Sequence, residues 1–144
     1  MLRPCPGNSP LNRQIPMANA CIAAGFPSPA DDYIDSKIDL NQHLIRHPAS
    51  TFCLRVSGES MTGSGVHNND LLIVDRSINA KPGHVVVAIL DGEFTLKRLM
   101  VNQDGFYLKA SHPEYPEIDL RKHGDVQIWG VAIYSIHCLK KEIY

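Results

Sequence analysis

From residue 51 onwards, the chain carries the alternation of apolar and polar positions that is typical of β-strands. In the segment TFCLRV at 51–56, the apolar residues Phe52, Leu54 and Val56 alternate with their neighbours, so we predict a strand with one buried face. Two later runs are apolar throughout and predict strands buried on both faces: LLIV at 71–74 and VVVAIL at 85–90.

A turn signal joins the second of these runs to the next predicted strand. Asp91-Gly92 separates VVVAIL from EFTLKRLM, and this dipeptide is typical of a two-residue β-hairpin. Two more strands are predicted at 106–110 and 127–137, and the second is long enough to bend at Gly130. The pattern therefore predicts a mainly β body of several twisted antiparallel strands.

The first 27 residues differ from the rest because they hold five prolines and show no sustained period. Closely spaced prolines remove backbone donors and favour extended geometry, so we predict an extended or mobile arm. Two short helices are expected to follow it. One begins at Ser28-Pro29, and the other begins with a capping box at 39–42 and runs to His47. On the second helix, Leu40 and Leu44 are expected to face the core.

Composition narrows the class of protein. With 144 residues, 44% of them hydrophobic and 20% charged, the chain fits one compact domain with an extension. A formal net charge of −1 argues against a densely basic surface, so no direct sequence-specific DNA binding is expected. No apolar run is long enough to span a membrane, and the first residues lack the apolar stretch of a secretory signal. We therefore expect a cytoplasmic protein without a membrane anchor.

The sequence predicts neither a metal site nor a cofactor. The four cysteines are too far apart for a zinc knuckle: Cys5, Cys21, Cys53 and Cys138. We expect free thiols, with Cys53 and Cys138 buried in strands. His43 and His47 have the spacing of an HExxH zinc helix, but position 44 is leucine where that motif needs glutamate.

Two residues of the predicted β body could carry out chemistry. Ser60 lies in SGESM at 57–61, directly after the first strand, and Lys97 lies in the strand after the hairpin. Taken alone, such a serine is usually part of a turn and such a lysine is usually exposed. Lys97 and Arg98 are neighbours in one strand, however, so they point to opposite faces. If the hairpin packs on the core, one of the two cations points inward or into a cleft.

An inward-pointing Lys97 would be able to act as a base for a serine. A free lysine has a pKa of about 10.4, so activity near pH 7 needs the pKa lowered by roughly three units. Burial beside apolar walls can lower it that far, and we expect Met61, Leu96 and Val86 to supply those walls. A Ser–Lys dyad therefore predicts an apolar cleft built from strands.

Five blocks of the sequence occur together in a fixed order: GFPSPADDY at 25–33, IDLNQHLIRHP at 38–48, SGESM at 57–61, NDLLIVD at 69–75 and DGEFTLKRL at 91–99. In these blocks the chain resembles the LexA-type self-cleaving serine protease family, and within it the UmuD-like proteins of the bacterial SOS response. The resemblance runs from about residue 25 to about residue 136. It implies the C-terminal protease fold of that family, preceded by short helices and an extended arm.

The resemblance assigns roles to several residues. It implies that Ser60 is the nucleophile, that Lys97 is its general base, and that the backbone N–H groups of Ser60 and Glu59 form the oxyanion hole. Where the family often has glycine, this chain has Asn69, and asparagine tolerates the left-handed backbone that such a turn needs.

The resemblance also places the scissile bond between Ala24 and Gly25. Residues 1–24 would then be the arm that self-cleavage removes, and residues 25–144 would be a β-rich protease-like domain. The arm is long enough to reach the dyad of its own chain or of a partner copy, so cleavage in cis and in trans both remain open.

The implied function is SOS mutagenesis. A RecA filament on single-stranded DNA would stimulate self-cleavage, and the processed homodimer would join a UmuC-like Y-family polymerase in error-prone translesion synthesis. Other functions fit less well. A LexA-like repressor needs a helix-turn-helix, which residues 1–24 do not show. A membrane signal peptidase needs an anchor, and a non-catalytic polymerase-binding scaffold would not need both Ser60 and Lys97.

Overall fold

The structure is a computed structural model, and it describes residues 14–18, 22, 24–25 and 34–140. The chain divides into two compact units, Met1–Arg46 and His47–Tyr144. The predicted helix start at Ser28-Pro29 lies outside the described residues, as do Cys5 and Cys21. In the part of the chain that is described, no helix is long and apolar enough to cross a membrane.

The first unit contains a two-stranded antiparallel sheet. Strand β1 (Gln14–Ala18) pairs with β2 (Ile34–Asp39), and Pro16 lies opposite Lys37. A proline is tolerated there because both strands of a two-stranded sheet are edges, where a missing N–H breaks no internal ladder. The predicted extended geometry is confirmed for residues 14–18, but their pairing with β2 was not predicted.

The short helix α1 (Leu40–Leu44) begins as its capping signal predicts. The Asp39 carboxylate accepts hydrogen bonds from the N–H groups of Asn41 at 3.0 Å and Gln42 at 3.4 Å. The helix ends at Leu44 rather than at His47, and the expectation that Leu40 faces the core is wrong, since its side chain is 44% exposed. A helix of five residues is too short to present a continuous buried stripe.

The second unit is a seven-stranded antiparallel sheet, which confirms the mainly β fold. A 3₁₀ turn at Pro48–Ser50 precedes it. The strands are β3 (Thr51–Arg55), β4 (Leu71–Asp75), β5 (Val85–Leu90), β6 (Glu93–Asn102), β7 (Gly105–Lys109), β8 (Ile118–Asp119) and β9 (Val126–Ile136). Their order across the sheet is β3-β4-β9-β5-β6-β7-β8.

The predicted hairpin between β5 and β6 is confirmed. Asp91 and Gly92 have φ angles of 50° and 81°, which are the left-handed values of a two-residue hairpin turn. The pairing continues from Leu90 opposite Glu93 to Val85 opposite Arg98. This register fixes the position of Lys97 along the sheet.

Two apolar clusters pack on the sheet, and β5 contributes to both. The first consists of Met61, Val66, Leu72, Val74 and Val87. The second consists of Val86, Ala88, Leu99, Leu108 and Val131. Because neighbouring residues of a strand point to opposite faces, a strand that serves both clusters is buried on both sides, as its continuous apolar run predicts.

Three residues predicted to be buried are exposed instead. Phe52 is 44% exposed, and Cys53 and Cys138 are exposed free thiols. The reason is topological, since β3 is an edge strand and Cys138 follows the end of β9. On the predicted buried face of β3, Leu54 does pack against the first cluster.

Strand β9 is irregular near Gly130, where a bend was predicted. Its register with β5 shifts at Trp129, and its register with β4 shifts at Ile133. A Cβ atom added to Gly130 would lie 2.6 Å from Cγ1 of the buried Val74, so only glycine fits there. The absence of a side chain thus lets β9 lie closely against the core.

We predict that Gly130→Ala lowers the free energy of unfolding by about 1–3 kcal/mol, the usual cost of overpacking a core. Gly124→Ala is the matched control, since a Cβ there meets no atom within 4 Å. Urea unfolding of both variants provides the measurement. Equal stability of the two variants would contradict the close approach at Gly130.

Candidate active site

The loop between β3 and β4 carries Ser60, and its ends are held together by the main chain. The N–H of Val56 donates to the carbonyl of Asp70 at 2.9 Å, and the N–H of Asn69 donates back to Val56 at 2.8 Å. Asn69 has a φ of 70°, the left-handed conformation that asparagine was expected to adopt. This β3–β4 loop, residues 56–70, is therefore closed at its base.

Two residues fix the part of the loop next to Ser60. Gly58 has a φ of 97°, which favours glycine, and its N–H donates to the side-chain oxygen of Asn68 at 2.8 Å. On the other side, Met61 is buried in the first apolar cluster. Ser60 is half-buried between these two anchors.

The following turn is fastened to residue 111, beyond β7. The N–H of Gly63 donates to the carbonyl of Ser111 at 2.9 Å. A Cβ at Gly63 would lie 2.6 Å from that oxygen, so the approach requires glycine. The β3–β4 loop is thus held at both ends and in the middle.

Lys97 lies on β6 and is only 8% exposed, whereas the neighbouring Arg98 is half-buried. Its ammonium group donates to three oxygens, Thr95 Oγ1 at 2.9 Å, the Leu96 carbonyl at 3.1 Å and Ser60 Oγ at 3.5 Å. The structure therefore brings Ser60 and Lys97 together, although 37 residues separate them in the chain.

Burial lowers the pKa of Lys97 below its ordinary value of 10.5. The physical cause is the loss of water around the ammonium group, which disfavours the charged form. A larger fraction of Lys97 is therefore neutral at a given pH than of an exposed lysine. A neutral amine next to a hydroxyl can accept its proton.

A cleft with a volume of about 220 Å³ lies beside Ser60. Six apolar residues that line it come from four strands and the β3–β4 loop: Leu54, Val56, Met61, Leu72, Val87 and Leu96. Met61 and Leu96 line the cleft as expected. Val86 does not line it, but lies opposite Lys97 in the register of β5 and β6.

The remaining predicted site residues have these positions. Glu59 precedes Ser60 in the loop, and no N–H of either residue donates a hydrogen bond to another described residue. Ala24 and Gly25 are exposed and lie in a bend of the first unit.

Of the two histidines that were considered for zinc, His47 contacts a carboxylate. His47 follows α1 and contacts Asp75 through Nδ1 at 2.5 Å. Although burial raises it, hydrogen bonds from His47, Ser77 and Ser50 hold the pKa of Asp75 well below its ordinary value. In the described part of the chain, no group of three or more metal-ligating side chains has the geometry to hold an ion.

Comparison with known proteins identifies the family. Residues 16–133 match the family described as Peptidase S24-like. The chain belongs to this family. It is 46% identical to Protein ImpA of Escherichia coli over 114 residues, covering 79% of this chain and 77% of ImpA. It is 39% identical to Protein SamA of Salmonella typhimurium over 95% of each chain, and 40% identical to Protein MucA of Escherichia coli over 85% and 84%.

These matches confirm the resemblance to UmuD-like proteins of the LexA type. The S24-like family is one of serine proteases that cleave themselves, and the chain is a UmuD-like member with a function in SOS mutagenesis. The antiparallel β-sheet, with Lys97 on β6 and Ser60 in the β3–β4 loop, is consistent with the S24-like fold.

Two residues of the candidate site were not found from the sequence. Thr95 accepts a hydrogen bond from Lys97, and Asn68 holds the backbone of Gly58. Thr95 had a usable signal, because residues two apart in a strand share a face. Asn68 had none, since its contact depends on how the loop folds back.

We predict that the stability of the chain rises with pH through the titration of Lys97. Burial lowers its pKa in the folded state, so the unfolded state binds the proton more tightly. Stability is therefore gained between the lowered folded pKa and the ordinary value of 10.5. In a Ser60→Ala background, which prevents cleavage, Lys97→Met should flatten this rise.

The measurement is the urea midpoint between pH 7 and pH 11, with Lys109→Met as the control because Lys109 is exposed on β7. The control should keep the slope of the parent protein. The same slope in Lys97→Met would show that Lys97 titrates as an ordinary lysine.

Proposed function

We propose that the chain cleaves its own Ala24–Gly25 bond, with Ser60 as nucleophile and Lys97 as general base. The observation that carries the proposal is the pairing of a lysine that is 8% exposed with a serine hydroxyl at 3.5 Å. A buried ammonium without a carboxylate partner is costly, which favours the neutral amine. Among the described residues, none of the hydrogen-bond partners of Lys97 is a carboxylate.

In the first step, neutral Lys97 takes the hydroxyl proton as Ser60 Oγ attacks the carbonyl carbon of Ala24. The carbonyl oxygen becomes an oxyanion, which the N–H groups of Ser60 and Glu59 would stabilise. Lys97 then gives the proton to the nitrogen of Gly25 as the peptide bond breaks. Water hydrolyses the resulting ester on Ser60, with Lys97 again as the base.

The other contacts of Lys97 suit this cycle. Thr95 Oγ1 and the Leu96 carbonyl are closer to the amine than Ser60 is, so they orient it and stabilise the ammonium formed on proton transfer. The distance of 3.5 Å to Ser60 is long for a proton transfer, and such hydrogen bonds often shorten when the substrate binds.

In this proposal, residues 1–24 form the removed arm and residues 25–144 the processed protein. The 36 residues that separate the scissile bond from Ser60 span up to about 120 Å when extended, so the arm can reach either its own dyad or that of a partner copy. A cleavage rate that rises with protein concentration would indicate cleavage in trans.

We further propose that a RecA filament on single-stranded DNA stimulates cleavage, and that the processed homodimer serves a UmuC-like Y-family polymerase in the cytoplasm. The support is the similarity to ImpA, MucA and SamA. A LexA-like repressor is disfavoured, because α1 is the only α-helix among the described residues and it has five residues. A non-catalytic scaffold would leave the buried lysine unexplained.

We predict that purified chain cleaves itself at alkaline pH without other proteins, because raising the pH deprotonates Lys97. The product is a fragment of roughly 13 kDa, in proportion to residues 25–144 of a 16.0 kDa chain. Gel electrophoresis from pH 7 to pH 11, followed by N-terminal sequencing, should show a new terminus at Gly25.

Ser60→Ala and Lys97→Ala should each abolish the conversion, while Lys109→Ala should cleave at the rate of the natural chain. Persistent cleavage in either dyad variant would overturn the assignment. A new terminus at another residue would overturn the position of the scissile bond.

We predict that RecA, single-stranded DNA and a nucleoside triphosphate together accelerate cleavage at pH 7.5, below the alkaline range of the unassisted reaction. Quantifying the fragment with each component left out in turn tests this. An unchanged rate with the complete filament would contradict stimulation by RecA, while leaving the alkaline reaction intact.

A further inference from the structure

Strand β6 contacts the β3–β4 loop through two neighbouring cations. Lys97 reaches Ser60, and Arg98 reaches Ser64, four residues further along the loop. Because neighbouring residues of a strand project to opposite faces, the two side chains approach the loop from different sides. The self-cleavage proposed above uses only Lys97, so the function of Arg98 is unassigned.

The guanidinium of Arg98 connects β6 to the β3–β4 loop and to the turn before β5. Its Nη2 donates to Ser64 Oγ at 2.8 Å in the loop, and its Nη1 donates to the carbonyl of Gly83 in the turn. Ser64 Oγ is also hydrogen-bonded to Ser111 Oγ. Arg98 is therefore the centre of a polar network on the loop that carries Ser60.

Ser64 ends the 3₁₀ turn Thr62–Ser64, whose backbone is held by the bond from Gly63 to the Ser111 carbonyl and by local bonds to Met61 and Thr62. The Arg98 network adds a side-chain restraint at the end of this turn. The turn begins two residues after Ser60, so a shift of the turn moves the serine hydroxyl. A displacement of about 1 Å in a reacting group can cost 10²-fold in rate.

We propose that Arg98 is a positioning residue that fixes the loop carrying Ser60 against the strand carrying Lys97. One strand thus provides the base on one face and the clamp for the nucleophile loop on the other. A guanidinium suits this task because its planar fork reaches two acceptors at once and keeps its charge in the alkaline range where self-cleavage is predicted. The inference rests on the self-cleavage proposed above.

The test uses the full chain and compares Arg98→Gln with the natural protein. Self-cleavage should fall about tenfold at every pH from 8 to 11, because charge-assisted hydrogen bonds to the loop are lost while Lys97 is unchanged. Labelling of Ser60 by a fluorophosphonate, which needs no arm in the cleft, should fall by a similar factor. Arg98→Lys should recover part of both rates at pH 8.

Two controls separate positioning from general effects. Lys109→Gln removes the cation opposite Arg98 in β7 and should leave both rates unchanged. Ser64→Ala leaves the guanidinium in place but removes its acceptor on the loop, together with the bond from Ser64 to Ser111. It therefore provides a second test if Arg98→Gln does not fold, and it should slow cleavage too. Urea unfolding shows that each variant is folded under the assay conditions.

Several results would overturn the inference. Cleavage of Arg98→Gln at the natural rate would show that Arg98 does not position the loop. Loss of cleavage with normal labelling of Ser60 would instead show that Arg98 binds the N-terminal arm. A changed pH midpoint of cleavage would show that Arg98 acts on the charge of Lys97 instead. If the natural chain does not cleave at alkaline pH, or Ser60→Ala still does, the proposed function itself fails.

Discussion

The structure depends on the cost of removing water from one ammonium group. Lys97 lies almost fully buried on β6, where an ordinary protonated lysine is unfavourable, and burial lowers its pKa. The two apolar clusters on either side of β5 hold β5 in place, and β5 pairs with β6. The same packing that stabilises the sheet therefore also lowers the pKa of Lys97.

The hydroxyl that lies against Lys97 comes from a loop, and a loop needs other means to be held. Main-chain hydrogen bonds at Val56 close the base of the β3–β4 loop, Met61 inserts into the core, and Gly63 lies tightly against Ser111. Precise placement of Ser60 is thus spread over many weak restraints. The Arg98 network adds a charged restraint from the strand that also carries Lys97.

Features with a local cause could be predicted from the sequence, whereas features that depend on neighbouring strands could not. The buried strands, the turn at Asp91 and the cap at Asp39 follow from patterns within a few residues. The exposure of Cys53 depends on β3 being an edge, and the pairing of β1 with β2 joins distant segments. Likewise, the resemblance to the family, rather than any spacing, paired Ser60 with Lys97.

The most direct test of the account is the titration of Lys97 itself. In Ser60→Ala protein with ¹³C-labelled lysine, the Cε chemical shift reports the protonation of each side chain. We predict that the signal removed by Lys97→Met titrates below 10.5. A Lys97 signal that titrates at 10.5 or above would contradict a neutral amine beside Ser60, and with it the general-base role.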